Sequence, residues 1–394
     1  MQKGSEKASK VRFDPQRRKF GKLAISSALG AKFLITPEVS STDEKINTSN
    51  VKLAAMSGQN TRNDYHTYIK QLGLEYVVVW TLGDTSYDHL MDIRRTIEAS
   101  GLKIANIGNG PTHNQDKITL NLPGRAEKIE EYKTFLRNAG RAGYHTSIYA
   151  HMASNSERLS SVWRTENEPT RGGALGSTFD LEKAKAGINV RWNLKVDRLT
   201  HGRVYTEQEL WDNWEYFIKQ VAPVAEEAGI RIGIHPDDPP GLTLGGVPRP
   251  IFSSFEGYRQ ALEIADSPNV GICLCVGCVL EAGKSWGRDV IQTIRYFGKR
   301  NKIFKVHFRN VNTTLPHFVE VFVDNGYEDM YKVMRALVEV NNHCSVIDDH
   351  VPQMVGGARV SHAFTIGYIK ALLERANEEV KESDQLQWKG PYSS

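Results

Sequence analysis

Eight short runs of β-branched and apolar residues follow residue 50, and a stretch with helical periodicity separates each from the next. They are VKLAAM (51–56), YVVVWT (76–81), KIANIGN (103–109), TSIYAH (146–151), RIGIHPDD (231–238), VGICLCVG (270–277), IFKVHFRN (303–310) and CSVIDDH (344–350). Most are too continuously apolar for a sheet with one wet face. They suit parallel strands covered by helices. The intervening segments carry helix signals. The stretch 87–101 ends on Gly101, a natural C-cap, and 206–229 opens with the capping-box pair Thr206 and Glu209. Pro223 is expected to kink or split that second helix. Further helical patterns occupy 124–143, 256–266, 287–298, 330–341 and 362–380. Eight β–α units in this order predict a (β/α)8 TIM barrel of α/β class. An open doubly wound sheet would more often show a glycine-rich phosphate loop after its first strand, and MSGQNTRND (56–64) is not one.

The barrel is expected to span 46–380, with a C-terminal tail at 381–394. A long polar excursion, roughly 152–205, interrupts it between the fourth and fifth strands, where loops shape substrate pockets. Residues 1–45 read differently. RRKFGK (17–22) precedes the weakly apolar LAISSALGAKFLI (23–35), a pattern that resembles a bacterial twin-arginine export signal. Export to the periplasm is the expectation. A basic tail on a cytoplasmic protein is the alternative. The net charge of +4 is spread without a basic stripe, so nothing favours nucleic acid. No apolar run is long enough to cross a bilayer, and no stable membrane anchor is expected. The four cysteines, three of them in CLCVGC (273–278), do not resemble a disulfide framework.

In such barrels active residues lie at the C-terminal ends of the strands. The fifth strand ends at His235, the sixth carries Cys275, the seventh carries His307 and Arg309, and the eighth ends at Asp348, Asp349 and His350. Each residue alone has a bland reading: a hydrogen-bonded histidine, a packed cysteine, a capping aspartate. Together they bring nitrogen, sulfur and oxygen donors to one rim, a set that suits Mn, Fe, Co or Zn rather than calcium. Asp237, Asp238 and Asp348 either orient the histidines or cap the turns after their strands. Arg309 either grips a substrate carboxylate with two parallel hydrogen bonds or forms a structural ion pair. Trp80, Asn106, Asn109, His151, Trp163 and Arg164 are candidates for the pocket wall.

IGIHPDDPP (232–240), GGVPRPI (245–251), CLCVG (273–277), KVHFRNV (305–311), EDMYKVMRAL (328–337) and DDH (348–350), in that order, resemble mannonate dehydratases. WRT (163–165), GGALGSTFD (172–180) and IGYIKALLE (366–374) extend the likeness over roughly 120–375. The resemblance implies a barrel of the xylose isomerase-like superfamily and one Mn²⁺ or Fe²⁺. It also implies a hydro-lyase that converts D-mannonate to 2-keto-3-deoxy-D-gluconate in hexuronate breakdown. It maps the metal ligands onto His235, Cys275, His307 and Asp349, and the proton-transfer residue onto His350. Arg309, Arg164, Trp163 and Asn109 are then the candidate substrate contacts. The sequence departs from the family at VIDDHVP (346–352), which lacks an Arg-Pro ahead of the Asp-His and a Gly after it. The family's catalytic tyrosine falls on Ala363, next to His362, which becomes a candidate second proton carrier. A sugar isomerase or epimerase on the same barrel, and a carbohydrate-binding barrel without catalysis, are the competing readings. A homo-oligomer is compatible with either.

Overall fold

The computed structural model describes residues 49–58, 63–153, 164–186 and 199–387. The supposed export segment and Trp163 lie outside them. The described residues belong to one unit, Lys45–Ser394. The eight expected strands are all present: β1 (Val51–Gly58), β2 (Tyr76–Thr81), β3 (Lys103–Asn109), β4 (Thr146–Ala150), β5 (Arg231–His235), β6 (Val270–Cys275), β7 (Ile303–His307) and β8 (Cys344–Ile347). They pair in parallel and close into a barrel, with β8 returning to β1 through the register Val51 to Cys344. This is the (β/α)8 architecture the sequence predicts.

Two apolar layers follow from strand alternation. The larger core joins outward strand residues such as Val77, Val79, Ile107, Ile232 and Val306 to the helices. A second, small cluster of Ala54, Val78 and Ile347, with Ala105 against it, sits apart from that shell and fills the barrel interior.

The helices match their sequence signals. Glu207–Glu227 is closed at its start by the full Thr206–Glu209 capping box, and its chain turns away at Gly229 with φ +66°. It runs on through Pro223 as a single helix, so the expected split does not occur. Proline at this site removes one backbone donor, and burial of Trp214, Phe217, Val221 and Val224 along the same helix outweighs that loss.

The excursion after β4 contains structure the sequence reading missed. Glu166–Pro169 and Leu175–Asp180 form an antiparallel pair, and Leu175–Asp180 pairs again with His317–Val321 from the connection after β7. With Asn310–Val311 these make a four-stranded sheet. The sheet delivers Arg164 and Glu320 to the barrel mouth.

Candidate metal centre

The donors at the ends of β5, β6 and β7 and just past β8 converge. His235 Nε2 lies 3.1 Å from His307 Nδ1, and His307 Nδ1 lies 3.4 Å from Asp349 Oδ1. One donor atom each from Cys275, His307 and Asp349 fits within 4.8 Å, as does one each from His235, Cys275 and Cys278. Atoms bound to one transition metal at about 2.0–2.3 Å stand roughly 3–4 Å apart, so this spacing fits a shared ion. The tautomers agree. His235 Nδ1 donates to the Pro236 carbonyl at 2.7 Å, which leaves a lone pair on Nε2. His307 Nε2 is 3.5 Å from Cys273 Sγ, which frees Nδ1 to face the same point. Burial opposes a charge on His307, but Asp349 and Cys273 raise its pKa well above the usual value, so Nδ1 donates to His235 Nε2, and a cation between the two nitrogens would take the place of that proton. Of the two readings of Asp237, Asp238 and Asp348, orienting these two rings is not what the structure has them do: a carbonyl and a thiol hold the rings. Asp237 instead accepts from Ser253 Oγ at 2.8 Å.

Electrostatics point the same way. Burial opposes the Cys275 thiolate. A hydrogen bond from Cys278, the Arg309 charge and both histidines outweigh it and hold the thiol well below its usual range. Burial likewise opposes the Asp349 carboxylate, and His307, His350 and Arg309 hold it well below its usual range. Asp349 also adopts φ +55°, a left-handed conformation that aspartate tolerates better than most residues. A low thiolate and a low carboxylate beside two oriented imidazoles are a donor set that could hold a divalent cation.

Beneath these donors lies an ion network that was not foreseen. Arg309 is 1% exposed. Its Nη1 donates to Glu281 at 2.6 Å, its Nη2 to Asp238 at 3.2 Å and to Cys278 Sγ at 3.3 Å, and its Nε to Asp349 at 3.2 Å. Arg164 is equally buried and reaches Asp238 and Glu320 at 2.6 Å each, with Glu281 at 3.3 Å. The structural ion pair is therefore the reading the geometry supports for Arg309. A guanidinium whose donors already meet four protein groups does not serve a substrate carboxylate, and Arg164 sits among the same acids rather than on the cavity wall. Burial pushes Glu281 up to about 8, so it is held protonated.

A cavity of about 280 Å³ opens above the centre, lined by Trp80, Leu82, Gly110, His113, Asn114, Ile148, Met152, His235, Asp238, His307, Asp349 and His350. His350 Nδ1 meets Glu320 Oε1 at 2.8 Å, while its Nε2 lies 4.0 Å from Asp349. Burial lowers the His350 pKa, but Asp349 and Glu320 raise it further, so the ring holds its proton more firmly than usual. Facing it, His113 is pushed down to about 3 by burial, with His235, Lys305 and His307 adding to the effect. It stands edge-on to Trp80, ring centroids 4.9 Å apart. His113 and Asn114 escaped the sequence reading because they follow β3 by four and five residues, inside a loop without a motif.

Asn106 and Asn109 on β3 are buried, and neither amide has a partner for its oxygen or nitrogen. His151 belongs elsewhere: it packs between Trp214 and Phe217 in the aromatic layer and accepts from or donates to Tyr149 at 3.1 Å. His362 Nδ1 meets Asp348 at 2.6 Å and is not among the cavity-lining residues.

Fold and site define a (β/α)8 barrel with nitrogen, sulfur and oxygen donors that could hold a metal ion converging at its C-terminal mouth. The chain belongs to the D-mannonate dehydratase family, whose sequence profile matches residues 57–179 and 190–381. It is 32% identical over 279 residues to a mannonate dehydratase of Streptococcus equi subsp. zooepidemicus, covering 67% of this chain and 74% of that one. A mannonate dehydratase of Thermotoga neapolitana is 31% identical over 300 residues, covering 69% and 78%. The crystal structure of mannonate dehydratase from Streptococcus suis serotype 2 superposes with a TM-score of 0.70 at 27% identity, covering 84% of this chain and 95% of that one. A xylose isomerase domain protein from Planctomyces limnophilus shares the fold at a TM-score of 0.54 and 11% identity.

Proposed function

We propose that this protein is a metal-dependent hydro-lyase that dehydrates D-mannonate to 2-keto-3-deoxy-D-gluconate. The convergence of His235, Cys275, His307 and Asp349 beside His350 in one cavity carries the reading, and membership of the family supports it. Loss of water from an aldonate needs a proton taken from C2, stabilisation of the resulting negative charge, and a proton given to the leaving C3 hydroxyl. A divalent ion held by those four residues would supply Lewis-acid stabilisation of that charge. Mn²⁺ or Fe²⁺ suits the mixed donor set and the family. His350, kept protonated by Asp349 and Glu320, is the donor to the leaving hydroxyl. Glu320 fixes the ring through Nδ1 and leaves Nε2 for substrate. His113 lines the same cavity, but burial pushes it down to about 3, which makes it too weak a base to be given the C2 proton.

The test is direct. The reduced protein is loaded anaerobically with Mn²⁺ or Fe²⁺, D-mannonate is added, and the 2-keto-3-deoxy product is followed. His350→Ala is expected to retain metal and to lose about 10²–10⁴ in kcat, the usual worth of a positioned acid. Ketose or epimer products in place of the keto-deoxy acid would move the protein to the isomerase reading. The arginine pair in RRKFGK supports export through the twin-arginine route, which cell fractionation with Arg17→Lys/Arg18→Lys would test.

A further inference from the structure

A second thiol stands beside the first. Cys278 is the third residue of the helix Val276–Ala282 that follows β6, one turn on from Cys275, and both side chains are wholly buried. Residues three apart on a helix are neighbours, and here the Cys278 thiol donates to Cys275. One donor atom each from His235, Cys275 and Cys278 lies within 4.8 Å of the others. His307 supplies a fourth: its Nδ1 is 3.1 Å from His235 Nε2, and it shares a second such group with Cys275.

The centre therefore offers two overlapping donor sets. His235, Cys275, His307 and Asp349 combine nitrogen, sulfur and carboxylate oxygen. His235, Cys275, Cys278 and His307 combine two thiols with two imidazoles. Cys278 also groups with Asp238 and Glu281, but Asp238 already pairs with Arg164 and Arg309, and Glu281 with Arg309. Arg309 prepares the sulfur for charge as well. Its Nη2 donates to Cys278 Sγ at 3.3 Å, so a thiolate formed there meets a fixed cation. The C-x-x-C spacing and a Cys2His2 set are those of tetrahedral zinc sites, whose four protein ligands leave no open position. Thiolate sulfur selects soft ions, and a ligand thiol gives up its proton when such an ion binds. Carboxylate oxygen suits Mn²⁺ better.

We propose that Cys278 is a conditional metal ligand. A soft divalent ion such as Zn²⁺ or Cd²⁺ draws in its thiolate and is held by Cys275, Cys278, His235 and His307. An ion in that closed set has no position left for a substrate oxygen, so it occupies the centre without serving it. Cys278 thus sets which ions block the site. The inference goes beyond the dehydratase reading and depends on the metal centre alone.

The experiment uses the full chain, reduced and loaded with Mn²⁺, titrated anaerobically with Cd²⁺. Two quantities are read: the Mn²⁺ released, by metal analysis, and the ultraviolet charge-transfer band of cadmium–thiolate bonds, whose intensity follows the number of thiolates bound. Cys278→Ser is expected to keep its Mn²⁺, to show about half the wild-type band, and to need about tenfold more Cd²⁺ to release Mn²⁺. X-ray absorption of the Zn²⁺-loaded wild type reads the same point without a variant, because Zn–S and Zn–N distances differ by about 0.2–0.3 Å. Two sulfur donors are expected there. A single sulfur donor to Zn²⁺, or a Cys278→Ser protein that matches the wild type in band and displacement, would overturn the proposal. Loss of Mn²⁺ from a folded Cys278→Ser protein would overturn it too, by making Cys278 a ligand of the working ion. A wild type that binds neither Mn²⁺ nor Cd²⁺ would sink the metal centre along with it.

Discussion

The two sides of the barrel mouth are built to opposite rules. On the β5–β8 side the charged groups are paired: Arg309 and Arg164 bridge Asp238, Glu281, Glu320 and Asp349, and both metal-side histidines are held by their second nitrogen, while Glu281 Oε2, Glu320 Oε2 and Ser345 Oγ lack a hydrogen-bond partner. On the β2–β4 side polar atoms are buried but unmatched, namely the amides of Asn106 and Asn109, Thr112 Oγ1, His113 Nδ1 and Asn114 Oδ1. An ionic network whose charges are paired fixes geometry, which a metal and an acid catalyst need. Unmatched donors and acceptors cost stability and suit a ligand rich in hydroxyls. The first side is organised for chemistry and the second for recognition.

That division can be broken most forcefully at the metal. Cys275→Ala removes the thiolate, and we expect bound metal and turnover to be lost together, measured by metal analysis and the keto-deoxy assay. Asn109→Ala on the other side is expected to keep its full complement of metal. Retention of metal by Cys275→Ala would mean that Cys278, which also lies within reach of His235, takes over as ligand.

The next largest effect belongs to the ion network. Arg309→Met leaves Asp238, Asp349 and Glu320 buried with less compensation, and removing one partner of a buried pair costs about 3–5 kcal/mol. Glu281→Gln should be far milder, because Glu281 is already neutral below about pH 8 and the amide reproduces its shape. Denaturant unfolding of the two variants measures the difference. Equal destabilisation would mean that Glu281 is ionised in the folded protein.

The sequence reading reached the metal side far better than its support. Parallel strands covered on both faces leave continuous apolar runs, and ligand donors at their ends interrupt those runs visibly, as His235 and Asp349 do. Glu320 and Glu281 left no such trace. Glu320 sits in HFVEV, where an alternating carboxylate looks solvated, and it is buried against Arg164, Arg309 and His350, which the fold brings from distant segments. Glu281 ends a short helix after β6 and meets Arg309 only in three dimensions. Long-range pairing of this kind also decided Arg309, whose two readings were equal in the sequence.

On the recognition side effects should be smaller and confined to substrate. Asn109→Ala deletes a buried amide that has no protein partner, so stability is expected to change by less than about 0.5 kcal/mol or to rise. KM for D-mannonate is expected to increase up to about tenfold, the worth of roughly 1.4 kcal/mol of binding, with kcat largely kept. A clear loss of stability with unchanged KM would return Asn109 to a structural role.

The smallest effect separates His362 from His350, two histidines that are close in sequence but differ in setting. His362 is paired to Asp348 at 2.6 Å and lies off the cavity wall, so His362→Gln should retain most of the turnover that His350→Ala loses. Its contribution is to stability, and the sign can be worked out. The hydrogen bond to Asp348 raises the His362 pKa above its ordinary 6.5, with burial opposing and the charges of Asp348 and Asp349 reinforcing. The folded state therefore binds this proton more tightly than the unfolded state. The resulting stabilisation is complete below pH 6.5 and fades as pH rises through the raised pKa. Wild type and His362→Gln should accordingly differ most in melting temperature in mildly acidic buffer and converge in alkaline buffer. A gap that widened with pH would mean that the ring is neutral in the fold. A large fall in kcat in the variant would place His362 in proton transfer.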